Sequence, residues 1–129
     1  MTCNLTEQDA QHLRYCIALS RRVRDSGKHP FAAIVVDAAG NIVAEAGNDS
    51  LPPEGDPTRH AELVAAGLAA RRLSPEQLAG ATLYTSAEPC AMCAGAIYWC
   101  GIGRVVYALS EHQLLGLTGD HPENPTFAL

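Results

Sequence analysis

The chain has 129 residues, of which 47% are hydrophobic and 18% are charged, a balance typical of one globular domain, residues 1–129, with a single core. Nine basic residues against 14 acidic ones give a net charge of −5. This acidic balance argues against a large nucleic-acid-binding surface and favours a small-molecule ligand.

Cysteine usage and the N-terminus bear on the cellular compartment. The five cysteines are odd in number and lack the spacing of a disulfide framework. Residues 1–7 do not have the basic start and apolar run of a signal peptide, and no apolar stretch reaches the ~18 residues of a membrane span. The sequence therefore predicts a reduced, cytoplasmic protein without a membrane anchor. The cysteines are Cys3, Cys16, Cys90, Cys93 and Cys100.

The first predicted element is a helix that Thr6 caps and Gly27 ends. Glu7 and Asp9 lie in its first turn, where negative charge is favourable. Its core-facing positions recur at intervals of three or four residues. They are Ala10, Leu13, Ile17, Ser20 and Val23.

Two strands and a loop follow. Residues 31–36 form a short apolar run typical of a buried strand, residues 39–41 a hairpin turn, and residues 42–46 a second strand. Residues 48–57 contain three prolines and a glycine and are predicted to be a loop.

The second half alternates between helices and strands. A helix is predicted over residues 59–73, a short one from Ser74 to Leu78, and a third over residues 89–100 that Gly101 ends. Strands are predicted at residues 81–85 and 104–108, and residues 119–125 look irregular. The major elements thus follow the order αββαβαβ, which predicts a three-layer α/β/α fold with a mixed sheet.

Two short segments indicate the chemistry. They are His60-Ala61-Glu62 and, about thirty residues later, Pro89-Cys90-Ala91-Met92-Cys93. One histidine and two cysteines supply three zinc ligands and leave a tetrahedral ion with one open position. Glu62 is then placed to move protons of a water molecule bound there. This arrangement predicts a zinc-dependent hydrolase.

Other interpretations of these cysteines remain. A thioredoxin-like dithiol also opens a helix after a strand, but it has no use for His60 and Glu62. A closed structural zinc site would need a fourth ligand, for which Cys100 and His112 are candidates. Cys100 lies about 10 Å along the helix from Cys93, which favours a core position. Cys16 is expected to be a buried thiol, and Cys3 a terminal one.

From Gly27 to Ala108 the chain resembles the cytidine-deaminase-like zinc hydrolases. The resemblance includes residues 30–33, Asn48, residues 56–62 and residues 83–99, and it lies in the branch of guanine, cytosine and tRNA adenosine deaminases. It implies a cytidine-deaminase-like fold, one Zn²⁺ per chain held by His60, Cys90 and Cys93, and Glu62 as the catalytic acid/base. Members of this family are commonly dimers, which implies a homodimer here.

The resemblance also implies residues that bind a base. Asn48 matches the asparagine that binds substrate in this family, with a left-handed loop asparagine as the alternative. The Ala61 amide is placed to meet the base, and Phe31 and Trp99 are candidates for stacking, with core packing as the alternative for both. Asp120 is the nearest counterpart of a C-terminal aspartate of guanine deaminases.

Substrate preference is inferred from local motifs. Residues 30–31, 56–58 and 96–99 resemble bacterial guanine deaminase most, so guanine deamination is predicted ahead of cytosine or nucleoside deamination. Editing of tRNA adenosine is the second enzymatic alternative, and a non-catalytic zinc-binding module is an alternative of another class.

Departures from the family concern the pocket and the C-terminus. Ala32 stands where the family usually has glycine, and the chain ends at Leu129, where relatives continue. Leu114, Leu115 and Leu117 are expected either at a dimer interface or on the domain's own sheet. Arg59 and Glu88 flank the motifs and are expected either to orient zinc ligands or to be solvated.

Overall fold

A computed structural model describes residues 5–110 and residue 113 of the chain. The elements, in chain order, are helix α1 (Glu7–Asp25), strands β1 (Ala32–Val36) and β2 (Ile42–Gly47), helices α2 (Ala61–Arg72) and α3 (Pro75–Ala79), strand β3 (Thr82–Ala87), helix α4 (Ala91–Cys100) and strand β4 (Arg104–Leu109). The predicted order is confirmed, with α3 as the short helix after Ser74.

The four strands form one mixed sheet in the order β2-β1-β3-β4. Strand β1 is antiparallel to both β2 and β3, and β3 is parallel to β4. Strands β2 and β3 therefore run in the same direction and end at the same edge of the sheet. The chain enters α2 from β2 and α4 from β3, so both helices begin at that edge.

Helices cover both faces of the sheet, as the three-layer prediction requires. Helix α1 packs on one face, where Leu13 and Cys16 meet Ile34, Tyr84 and Val106. On the other face, alanines of α2 form a core with residues of β1 and β3 and with Ile97 of α4. All five residues of β1 are buried, which explains why this strand is an unbroken apolar run.

The buried stripe of α1 differs from the predicted one. Leu13 and Ser20 are buried as predicted, but Ala10, Ile17 and Val23 are only partly buried. Asp9, predicted as a first-turn acid, is 2% exposed and forms an ion pair with Arg104. Its charge is satisfied by β4, which local periodicity could not show.

Turn and cap residues agree with their expected chemistry. Thr6 caps α1 in a reciprocal capping box with Asp9. Gly101 ends α4 with a φ of 79°, and Gly40 in the β1–β2 hairpin has a φ of 90°. Positive φ values of this kind favour glycine because it has no Cβ.

Several residues of interest lie outside the described part of the chain. They are Cys3, His112, Leu114, Leu115, Leu117 and Asp120, together with residues 119–125. Within the described residues, no helix combines the length and the apolar character needed to cross a bilayer.

Candidate metal centre

The three predicted ligands converge at the sheet edge where α2 and α4 begin. His60 is the N-cap residue of α2, Cys90 is the N-cap residue of α4, and Cys93 lies one turn into α4. Their ligand atoms all lie within 4.8 Å of one another. Both helices begin later than predicted, because His60 and Cys90 have extended backbone dihedrals instead of helical ones.

The spacing of these atoms fits a tetrahedral zinc ion. Zinc bonds of about 2.3 Å to sulfur and about 2.0 Å to nitrogen at a tetrahedral angle separate the two ligand atoms by about 3.5 Å. The Nδ1 atom of His60 and the Sγ atom of Cys90 lie 3.5 Å apart. Both cysteines are buried and His60 is partly buried. The donor set is therefore ready to receive the ion with little rearrangement.

A hydrogen bond links the side chains of Cys90 and Cys93 in this geometry. The hydrogen bond from the Cys93 thiol lowers the pKa of Cys90, and the His60 ring lowers it further. The same hydrogen bond, together with burial, raises the pKa of Cys93. Cysteine binds a metal as the thiolate, so metal uptake is expected to release protons.

Glu62 lies beside these ligands in the first turn of α2. It is 7% exposed, and burial raises its pKa to about 7. A glutamate that served only the helix dipole would have no need of burial, because the favourable interaction operates at the surface. A buried carboxyl group with a pKa near neutrality can both accept and donate a proton.

The geometry also bears on the rival roles of the cysteines. Cys100 is partly buried and packs against the core formed with α2, as predicted. Among the described residues, the group that could hold a metal contains His60, Cys90 and Cys93 but not Cys100. The contact of Cys90 with His60 favours a metal site over a redox dithiol. Cys16 is buried, also as predicted.

Asn48 is buried directly after β2. Its backbone N–H donates to the carbonyl of Phe31, and its Oδ1 atom accepts hydrogen bonds from the backbone N–H and the hydroxyl of Ser50. The alternative of a left-handed loop asparagine is wrong, because no non-glycine residue in the described chain has a positive φ. The two hydrogen bonds from Ser50 orient the amide group of Asn48.

The other predicted contact residues are placed unequally. Ala61 is buried at the start of α2, and Phe31 is partly buried before β1. Trp99 is 83% exposed and packs edge-on against Tyr98, so the core-packing alternative is wrong for Trp99 within the described chain. Stacking of Phe31 and Trp99 on a base stays a prediction.

Sequence reasoning missed two side chains next to the site. Ser50 orients Asn48, and Asp49 bonds Arg59 with a separation of 3.3 Å between Oδ2 and Nε. Arg59 is thus held by a carboxylate, which neither of its two expected roles included. The signal for Ser50 was local, since it lies two positions after Asn48, whereas Asp49 bonds a residue ten positions away and had no local pattern.

Comparison with known proteins agrees with this geometry. Residues 6–109 match the family described as the cytidine and deoxycytidylate deaminase zinc-binding region. The chain is 46% identical over 121 residues to a probable cytosine deaminase of Schizosaccharomyces pombe, covering 94% of this chain and 72% of that protein. It is 38% identical over 108 residues to a tRNA-specific adenosine deaminase of Haemophilus influenzae, covering 84% of this chain and 62% of that protein.

A solved structure is similar over nearly the same range. The X-ray structure of guanine deaminase from Bacillus subtilis superposes with a TM-score of 0.77 at 35% sequence identity. The match covers 90% of this chain and 72% of that one. The fold and the metal-binding region are therefore common to proteins named for three different substrates.

Proposed function

The chain belongs to the family of zinc-dependent cytidine and deoxycytidylate deaminases, and from that premise we propose that it hydrolyses the exocyclic amino group of a free nucleobase and releases ammonia. The observation that carries this proposal is the convergence of His60, Cys90 and Cys93, with the buried Glu62 beside them. A purely structural zinc site has no need of that carboxyl group.

The proposed chemistry divides between the ion and the chain. Zinc held by His60, Cys90 and Cys93 would lower the pKa of a water molecule so that its oxygen can attack the ring carbon that bears the amino group. Glu62 accepts a proton from this water and delivers it to the adjacent ring nitrogen. Glu62 then takes the remaining proton from the attacking oxygen and passes it to the amino group, the bond between the ring carbon and that nitrogen breaks, ammonia leaves and the ring carbon becomes a carbonyl.

Recognition of the base is proposed to rest on the residues around Asn48. Because Ser50 occupies its Oδ1 atom, Asn48 presents an N–H donor to an acceptor atom on the edge of the base. The backbone amide of Ala61, between the ligand and Glu62, is a second proposed contact. Phe31 and Trp99 are proposed to stack on the ring.

We propose guanine as the first substrate to test and cytosine as the second. Guanine is supported by the motifs at residues 30–31, 56–58 and 96–99 and by the similarity to a guanine deaminase structure. Cytosine is supported by 46% identity to a probable cytosine deaminase over most of the chain. The net charge of −5 disfavours a polynucleotide substrate.

The test is ammonia release by zinc-loaded protein with guanine, cytosine, adenine, their nucleosides and a tRNA. We expect turnover of one free base, a loss of about a hundredfold to ten-thousandfold in kcat for Glu62→Gln, and unchanged zinc content. Glu76→Gln is the matched control, since Glu76 is an exposed glutamate on α3. Bound zinc without turnover of any of these compounds would refute the proposal and leave a non-catalytic module. Turnover of the tRNA alone would also refute it and would support editing.

A further inference from the structure

The loop between β2 and α2 closes on itself at the metal centre. The backbone N–H of Asp49 donates to the carbonyl of Arg59 at 2.9 Å, and Nε of Arg59 donates to the Asp49 carboxylate at 3.3 Å. Asp49 follows Asn48, and Arg59 precedes His60. The neck of an eleven-residue loop (residues 49–59) thus joins the proposed base-binding residue to a zinc ligand.

A third charged residue ties this neck to the other face of the sheet. Nζ of Lys28, just after α1, lies 2.9 Å from Oδ1 of Asp49. Behind the neck is a cavity of about 360 Å³ that Val23, Gly47, Asn48 and Val64 help to line. Val23 packs closely against Gly47 in this wall, and at the neck itself Asp49 bonds both Lys28 and Arg59.

The interior of the loop also contacts the backbone of Asp49. A Cβ atom on Gly55 would lie 1.7 Å from the backbone carbonyl oxygen of Asp49, which only glycine avoids. The N–H of Gly55 donates to the carbonyl of Leu51. On the far side, the carbonyl of Asp56 accepts from the N–H of Arg59. The loop is therefore compact, and Asp49 contacts both Arg59 at the neck and Gly55 in the interior.

We propose that Asp49 is a positioning residue that fixes the distance between Asn48 and His60, and thereby the distance between the bound base and the zinc ion. The part of this proposal that concerns the base rests on the proposed function. The part that concerns His60 does not, because the rate at which the protein releases zinc can be measured without any substrate.

These ion pairs contribute little to the free energy of unfolding, and their proposed effect is on the positions of Asn48 and His60. The side chains of Asp49, Lys28 and Arg59 are 25%, 44% and 45% exposed, so their contribution to global stability is modest. Catalysis depends more steeply on position, since a misplacement of about 1 Å between reacting groups can lower the rate up to about a hundredfold. Loss of Asp49 should therefore affect site parameters more than the unfolding free energy.

The experiment compares three alanine variants of the zinc-loaded protein. Zinc release to a chromogenic chelator reports on His60, and KM for the base reports on Asn48. For Asp49→Ala we expect the rate of zinc release and KM each to rise about threefold to tenfold, and kcat to fall by up to about a hundredfold. Ser50→Ala should raise KM alone. Asp25→Ala is the control, because it also removes an aspartate from an ion pair, here a more exposed pair with Arg24 that does not involve the loop.

The design separates failure of this inference from failure of the proposed function. Arg59→Met removes the guanidinium group that bonds the Asp49 carboxylate. This variant should reproduce the effects of Asp49→Ala on zinc release and on the kinetics with the base. Unchanged zinc release and KM in Asp49→Ala, a change in thermal stability alone, or equal effects in Asp25→Ala would each overturn the inference. If the wild-type protein turned over no base, the proposed function would fail, whereas faster zinc release from Asp49→Ala would still support the positioning of His60.

Discussion

The buried ion pair between α1 and β4 predicts an asymmetric response to mutation. Asp9 accepts two hydrogen bonds from Arg104, at 2.8 and 2.6 Å, one from the Tyr84 hydroxyl at 2.5 Å, and one from the backbone N–H of Thr6. Asp9 is 2% exposed, whereas the side chain of Arg104 is 44% exposed. The buried carboxylate of Asp9 therefore needs these hydrogen-bond donors, whereas water can hydrate the guanidinium group of Arg104 when Asp9 is removed.

The magnitudes follow from this difference in exposure. Removing one partner of a fully buried pair costs about 3–5 kcal/mol, and we expect about 2–3 kcal/mol for Arg104→Met because Arg104 is partly solvated. Asp9→Asn should cost less, about 1–2 kcal/mol, because an amide still accepts from Tyr84 and leaves an arginine that water can reach. Urea unfolding of both variants at pH 7, with zinc in excess, measures these values. Equal losses, or losses below about 0.5 kcal/mol, would contradict the reasoning.

The same pair predicts a pH dependence. The hydrogen bonds from Arg104 hold the pKa of Asp9 in the folded protein well below its usual range, and the unfolded value is about 3.9. A lowered pKa of this kind contributes stability that is fully present above the unfolded value and is lost as the pH falls toward the folded value. The stability difference between wild type and Asp9→Asn should therefore shrink below about pH 4. Zinc loss in acid affects both proteins and cancels in the difference, so a constant difference would refute the assignment.

Two further predictions concern the metal centre and the packing away from it. Cys93→Ser should lose most bound zinc, whereas Cys100→Ser should keep one ion per chain. Elemental analysis of the purified proteins measures both zinc contents. Loss of zinc from Cys100→Ser would show that Cys100 is a ligand. Gly103→Ala places a Cβ 1.9 Å from the carbonyl oxygen of Ala79. This clash should lower the thermal midpoint of unfolding without changing the rate of zinc release. A change in that rate would link the turn at Gly103 to the metal centre.

The elements and the ligands were predictable because their signals are local. The apolar run of β1, the cap at Thr6 and the glycine after α4 each act within a few residues. His60, Cys90 and Cys93 were also accessible, because each ligand lies at or near a helix start and both helices follow strands that end at one sheet edge.

The remaining features depend on contacts between distant residues. Asp9 looked like a first-turn acid, but its partner Arg104 lies 95 positions away. Asp49 carried no recognisable pattern, because its role depends on Lys28 and Arg59. Periodicity reports which face of an element is buried, and it does not report which charge is buried with it.

The positions of His60 and Cys90 also show how metal binding competes with helix stability. N-cap residues are usually serine, threonine, aspartate or asparagine, whose side chains accept a bond from the first turn and contribute about 1 kcal/mol. His60 makes no such bond to the described backbone of its own helix, and Cys90 has a sulfur in place of the usual cap oxygen. Both residues nevertheless have the extended dihedrals of an N-cap, which direct their side chains away from the helix and toward each other. The same backbone geometry that would suit a cap therefore presents the side chains of two ligands at one point.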